Sequence, residues 1–232
     1  MLKKFILAVS TLAGTIIGVG FFVLPYVTTQ VGIWVMLTYF LVLGGIVIII
    51  HLLFGKVALE TPDFLRLPGY VEKHLGPGWK KLAGLSMILG TFGAILVYML
   101  IGGKFLNGLL GPIFGGSEFL YSLIYFGLGI IFIYFGIKSI AKLDVLFLMA
   151  LFVILSIISL NGLPFFKFSN LLAANSSSLD NFFLPYGPIL FALWGATMIP
   201  EIEEMLGRDK RLLGKTIFAG VLIPLLVYVF FT

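Results

Sequence analysis

Polar residues in this chain gather into short stretches, and between them the sequence stays apolar for roughly twenty residues at a time. Seven such runs stand out, at about 5–29, 33–54, 82–106, 119–137, 143–161, 183–206 and 213–231. Each has the length a helix needs to cross the hydrocarbon core of a bilayer. There a helix satisfies every backbone N–H and C=O without help from water. The pattern predicts an all-α integral membrane protein, with residues 1–232 forming a single transmembrane domain.

Two of the seven runs do not read as continuous helices. In "GTIIGVGFFVLPY" (14–26), Gly14, Gly18 and Gly20 each weaken a helix by roughly 1 kcal/mol relative to alanine. Pro25 lacks an N–H, and its ring clashes with the carbonyl of Phe21. The spacing predicts an unwound point at Gly18-Val19-Gly20. The sixth run, "LFALWGATMIPEIEEML" (190–206), repeats the combination with Gly195, Ala196, Thr197 and Pro200. It predicts a second half-helix beginning near Met198, with Thr197 as its cap. Small residues four apart, such as Gly14 and Gly18, also suit close helix packing, so the first run supports that reading as well.

Breaks in spans one and six are five spans apart, and an odd number reverses the direction of crossing. That is the pattern of a five-plus-five inverted repeat. The first repeat covers about 5–161, and 183–232 begins the second, so the domain is expected to be incomplete. A broken span offers unpaired N–H groups with partial positive charge on one side and free carbonyls with partial negative charge on the other. An amino acid zwitterion carries one group suited to each. Beside the unwound Gly18, the N–H groups of Val19, Gly20 and Phe21 are expected to face a carboxylate, and carbonyls near Ile16, Ile17 and Leu193 an ammonium. Trp194, with Phe21 or Phe22 and Tyr98 from span three, is expected to line the side-chain pocket, and Gly195 and Thr197 at the second break are further substrate-binding candidates.

Composition agrees with the pattern and narrows the chemistry. Hydrophobic residues make up 60% of the chain and charged residues 11%, with a mean hydropathy of +1.16, which is too apolar to coat a water-soluble globule. Cysteine is absent and the two histidines, His51 and His74, lack metal-ligand spacing, so no metal site or cofactor is expected. The net charge of +5 matters through its placement. With the N-terminus in the cytoplasm, Lys3, Lys4, Lys56, Arg66, Lys73, Lys80, Lys81, Lys138, Lys142, Arg208, Lys210, Arg211 and Lys215 fall on one face, and only Lys104 and Lys167 on the other. The positive-inside rule makes that first face cytoplasmic, in a multi-pass protein of the plasma membrane, and removes any need for a nucleic-acid partner.

The opening "MLKKFILAVSTLAG" also has the layout of a secretory signal. The apolar stretch continues past the ~7–15 residues of such a core, so it reads as a retained first span. Between spans two and three, "GYVEKHL" is expected to form a short interfacial helix ended by Gly76-Pro77-Gly78. The segment "NGLLGPIFGG" (107–116) reads as an outer turn, and Asn175-Ser176-Ser177 is formally a glycosylation sequon. The final "IPLLVYVFFT" has no flanking charge, and the reading frame is expected to continue beyond it.

Three stretches carry a family resemblance. "GTIIGVGFFVLPYVTTQVG" resembles the first span of hydroxy and aromatic amino acid permeases, within the wider amino acid transporter group, which share a glycine-x-glycine break followed by leucine-proline. "FALWGATMIPEIEEMLGRDKRLLGKTIFAGVLIPLLVY" is similar to their sixth and seventh spans, and "GYVEKHLGPGWKKLAG" to the loop between spans two and three. The resemblance implies secondary active transport of an amino acid by alternating access, coupled to a proton rather than sodium, without a cofactor. It also implies about eleven spans, of which seven lie here. Tryptophan and tyrosine permeases often carry a histidine just after the glycine of span six, where this chain has Ala196 and Thr197. That departure argues against an aromatic substrate.

Glu201 and Glu204, with Glu203, lie in the cytoplasmic half of span six, and acids at membrane depth are candidates for proton coupling or gating by default. Glu204 and Arg208 are also spaced to pair along the helix. No nucleophile, phosphate-loop or paired-carboxylate motif argues for an enzyme. The alternatives to a permease are a membrane receptor or scaffold that keeps the broken helices for packing, and an ion channel.

Overall fold

In the computed structural model, residues 2–134, 137–165 and 179–232 are described, and the sequon at 175–177 lies outside them. Among these residues all regular structure is helical. The helices are α1 (Leu2–Ile16), α2 (Leu24–Val31), α3 (Ile33–Glu60), α4 (Leu67–Leu75), α5 (Pro77–Phe114), α6 (Glu118–Tyr134), α7 (Ile137–Gly162), α8 (Leu179–Phe182), α9 (Tyr186–Leu193), α10 (Ile199–Leu206) and α11 (Leu213–Phe231). Two compact units result, one from residues 1–65 and 144–232, the other from 66–143.

Among the described residues, four helical segments are able by length and composition to cross a membrane: Ile33–Glu60, Pro77–Phe114, Val145–Gly162 and Asp209–Phe231. The pair Leu2–Ile16 and Val19–Val31, bent by 48°, makes a fifth. The apolar part of α6, Glu118–Ile131, is shorter, and the sixth expected span is divided between the eight-residue helices α9 and α10. The all-helical membrane class therefore stands. The sequence marks each apolar run, and in the folded chain two of those runs are spent on pairs of half-helices.

In the first unit, glycines set the helix spacing. A Cβ on Gly220 of α11 would come within 2.9 Å of Leu12 Cβ on α1, and one on Gly44 of α3 within 2.9 Å of Leu225. Gly55 likewise faces Ile217. Contacts 44 to 225 and 55 to 217 run in opposite senses, so α3 and α11 are antiparallel. Without water to drive helices together, such close approach gives the van der Waals contact that replaces the hydrophobic effect. Leu12, Met36, Ile189, Leu193, Ile202 and Leu213 are fully buried there.

In the second unit, α4 begins with Pro68 in its first turn and ends at Gly76, whose φ of 96° needs glycine. Here the expectation is corrected: Gly76 ends α4 as read, but Pro77 and Gly78 open α5 instead of completing a stop. Proline suits a helix start, where its missing N–H is not needed. The predicted outer turn at 107–116 is also shorter. The helix continues to Phe114, and the turn is made by residues 115–117, with Gly115 and Gly116 at φ of 67° and 105°. Helices α5 and α6 cross at Gly103, where a Cβ would lie 2.6 Å from Ser122 Cα.

Candidate functional site

The first interruption follows from Pro25. Helix α1 stops at Ile16, Gly18 is extended (φ −123°, ψ −160°), a 3-10 turn spans Val19–Val23, and α2 begins at Leu24. Pro25 falls in the first turn of α2, where its ring has no preceding helical carbonyl to strike. The tighter turn spends backbone groups that a simple gap would leave open. Phe21 N–H donates to Gly18 O at 3.1 Å, and Leu24 N–H to Phe21 O.

The second interruption has the same construction. Helix α9 ends at Leu193, Trp194 is extended, a 3-10 turn covers Ala196–Met198, and α10 starts at Ile199 with Pro200 in its first turn. Thr197 is exposed and makes no side-chain cap, because Met198 occupies the cap position and no side chain bonds there. The expected cap is thus corrected, since the intervening 3-10 turn puts Thr197 two residues before the helix.

These two breaks abut. A Cβ on Gly20 would lie 2.9 Å from both Cα and Cβ of Ala192, one residue before the end of α9. A Cβ on Gly195 would lie 2.6 Å from Ile16 Cγ1 and 3.2 Å from Leu12 Cδ1, at the end of α1. Each break therefore presses its glycine against the terminus of the other span's first half-helix. The close packing falls on Gly20 and Gly195, whereas Gly14 and Gly18, the pair spaced for packing in the sequence, are only half-buried.

Where a helix stops, its last carbonyls lose their intrahelical donors. Two of them, Ile16 O and Ala192 O, converge on one group. The hydroxyl of Tyr228, on α11, donates to Ile16 O at 2.7 Å and lies 3.1 Å from Ala192 O. Tyr228 is fully buried, and its ring leans on Phe21, with centroids 5.9 Å apart. Phe21 in turn stacks on Phe231 at 4.0 Å.

An N–H freed by the second break is met from α3. His51 is fully buried, its Nδ1 lies 2.8 Å from Val47 O, and its Nε2 accepts the Gly195 N–H at 3.0 Å. Accepting at Nε2 while facing a carbonyl at Nδ1 assigns the neutral tautomer with its proton on Nδ1. Trp194 meets the imidazole edge-on, with centroids 5.6 Å apart, and stays about half exposed.

Of the residues expected to bind, the fold brings Ile16, Gly20, Phe21, Trp194 and Gly195 into this cluster. Ile17 donates its N–H to Ala13 O, continuing α1 by one bond, and Leu193 is fully buried. Val19 is buried within the 3-10 turn, and Thr197 points away from the core. Tyr98 lies on α5, in the second unit. His51 and Tyr228 were missed. A signal for His51 existed, since it is an ionisable residue inside the apolar run "IVIIIHLLFG". Tyr228, one of nine tyrosines, carried no such mark.

On α10, Glu201 is partly buried, Glu204 is exposed, and the buried acid is Glu203, at 1% side-chain exposure. Lys210 Nζ pairs with Glu203 Oε1 at 2.7 Å and sits 4.6 Å from the centre of the Phe64 ring. The side chain of Arg208 lies outside the described residues, and with it the Glu204–Arg208 pair. Among the described residues no cluster of acidic or histidine side chains is arranged to hold a metal ion.

Comparison with known proteins places this arrangement in context. The model of the tryptophan/tyrosine permease family matches residues 1–232. The chain is 28% identical over 222 residues to the tyrosine-specific transport system 1 of Haemophilus influenzae, covering 94% of this chain and 54% of that protein. It is 24% identical over 239 residues to the tryptophan-specific transport protein of the same organism, covering 94% of this chain and 55% of that protein. The chain thus spans about half the length of the curated relatives it matches. No solved structure matches it.

Proposed function

This chain belongs to the tryptophan/tyrosine permease family, and from that premise we propose that it takes part in secondary active transport of an aromatic amino acid across the plasma membrane. The observation that carries the reading is the back-to-back meeting of two interrupted helices, Gly20 on Ala192 and Gly195 on Ile16. Paired breaks of this kind concentrate helix-end charges of both signs inside an apolar bundle, which is what a zwitterion needs once it leaves water. The first repeat and the start of a second, related by inversion, would supply the alternating access.

In this reading the backbone about Gly18, Val19 and Gly20 receives the carboxylate, and the carbonyl cluster at Ile16 receives the ammonium. Trp194 and Phe21 flank the aromatic side chain, with Thr197 as a further candidate. His51 brings an imidazole to the same break from α3, where positions 196 and 197 carry none, and both of its ring nitrogens are engaged by the backbone. The cationic faces of the loops support an N-terminus in the cytoplasm. Proton coupling, rather than sodium, falls to Glu201 first and to Glu204 second, since acids at membrane depth are the natural carriers.

Uptake of labelled L-tyrosine and L-tryptophan into proteoliposomes tests the reading. Saturable uptake driven by an imposed inward proton gradient is expected. Glu201→Gln is expected to abolish gradient-driven uptake while sparing exchange of internal for external substrate. Absence of saturable flux would return the protein to the scaffold class, and flux that fails to saturate to the channel class.

A further inference from the structure

We propose that the hydroxyl of Tyr228 stands where the substrate's ammonium goes, as an internal placeholder that the amino acid displaces. The inference deepens the amino acid reading and rests on it. Ile16 O and Ala192 O belong to the C-terminal ends of α1 and α9, the first half of each broken span. In an unbroken helix they would accept from residues four further on, Gly20 and Ala196, both of which lie beyond the breaks. The partial negative charges of two helix ends thus meet at one point.

A phenol is poorly matched to that point. It has one proton to give, and the distances of 2.7 and 3.1 Å show one carbonyl well served and the other weakly. It is also neutral, whereas two converging helix ends favour a cation. An ammonium brings three donors and a positive charge, and serves both carbonyls at once. The phenol completes the hydrogen bonding of the two carbonyls, as a buried carbonyl pair in an apolar bundle requires. It gives way to the one substrate group that satisfies the pair better. Tyr228 is then a specificity-determining residue for the α-amino group, although it reads in sequence as one more aromatic in an apolar run.

The test compares L-tyrosine with 3-(4-hydroxyphenyl)propionate, its analogue without the amino group, by binding to the purified protein as the cell makes it. Tyr228→Phe keeps the ring against Phe21 and removes only the competing hydroxyl. The variant is expected to bind L-tyrosine tighter by roughly 3- to 10-fold, the worth of one hydrogen bond. Its affinity for the des-amino acid is expected to stay within about twofold. A structural role alone would move both ligands together, so an unchanged or reduced preference for L-tyrosine overturns the proposal. If wild-type protein binds neither L-tyrosine nor L-tryptophan, the amino acid reading itself falls, and the proposal with it. Should Tyr228→Phe fail to fold, 3-fluorotyrosine at position 228 keeps the hydroxyl and reports by 19F resonance. The signal is expected to shift with L-tyrosine and not with the des-amino acid, and a signal still in both overturns the proposal.

Discussion

Gly20→Ala adds one methyl group at the point where the two broken spans touch, and its consequence is fixed by what that methyl meets. The added Cβ would sit 2.9 Å from Ala192 Cα, a backbone atom that has no rotamer by which to move aside. Ordinary contact begins at 3.4 Å, so the spans must part by roughly 0.5 Å, at the ~1–3 kcal/mol typical of overpacking a close-packed interior. Tyr228 bridges the same pair of spans, and its weaker bond to Ala192 O, already 3.1 Å long, is the first to be lost. For a chain of this size the overpacking cost corresponds to a fall in melting temperature of about 2–12 °C. The assay is thermal unfolding of purified protein in detergent, followed by intrinsic fluorescence, beside uptake of L-tyrosine in proteoliposomes. Gly45→Ala is the control. Gly45 sits in α3 with open space around it, so alanine there is expected to be neutral or to stabilise by up to about 1 kcal/mol. A Gly20→Ala protein as stable as the Gly45→Ala protein would refute the claim that the breaks are pressed together.

Two further predictions concern buried polar groups. His51→Ala leaves the Gly195 N–H without its acceptor inside the bundle and is expected to destabilise by about 1–3 kcal/mol beyond the lost ring volume. His51→Gln, which offers a carbonyl oxygen, is expected to recover part of that in the same melting assay, and equal melting temperatures for the two would show that the bond contributes nothing. In the turn after α10, Lys210→Met removes the charge facing buried Glu203 and is expected to cost about 1–3 kcal/mol, below the value for a fully buried pair because Lys210 is itself partly exposed. Adding Glu203→Met to it is expected to restore most of the loss, and additive losses in the double variant would refute the pairing.

Sequence alone determined the membrane class, the helical character of the chain and the two places where spans break. Those are local properties. Bilayer thickness sets the length of an apolar run, and glycine and proline act on the backbone within a turn of where they stand. Glu201, Glu203 and Glu204 were visible for the same reason, although only burial distinguishes Glu203 from its neighbours. What the tertiary structure decided is which groups answer the broken backbone. The answers to Ile16 O, Ala192 O and Gly195 N–H come from residues 212, 36 and 144 positions away. Nothing within one span records that distance. A freed carbonyl can be predicted from a proline, but its partner depends on which helices lie beside it, and in a bundle without water that is settled by the fit of one surface on another, as at Gly20 and Ala192.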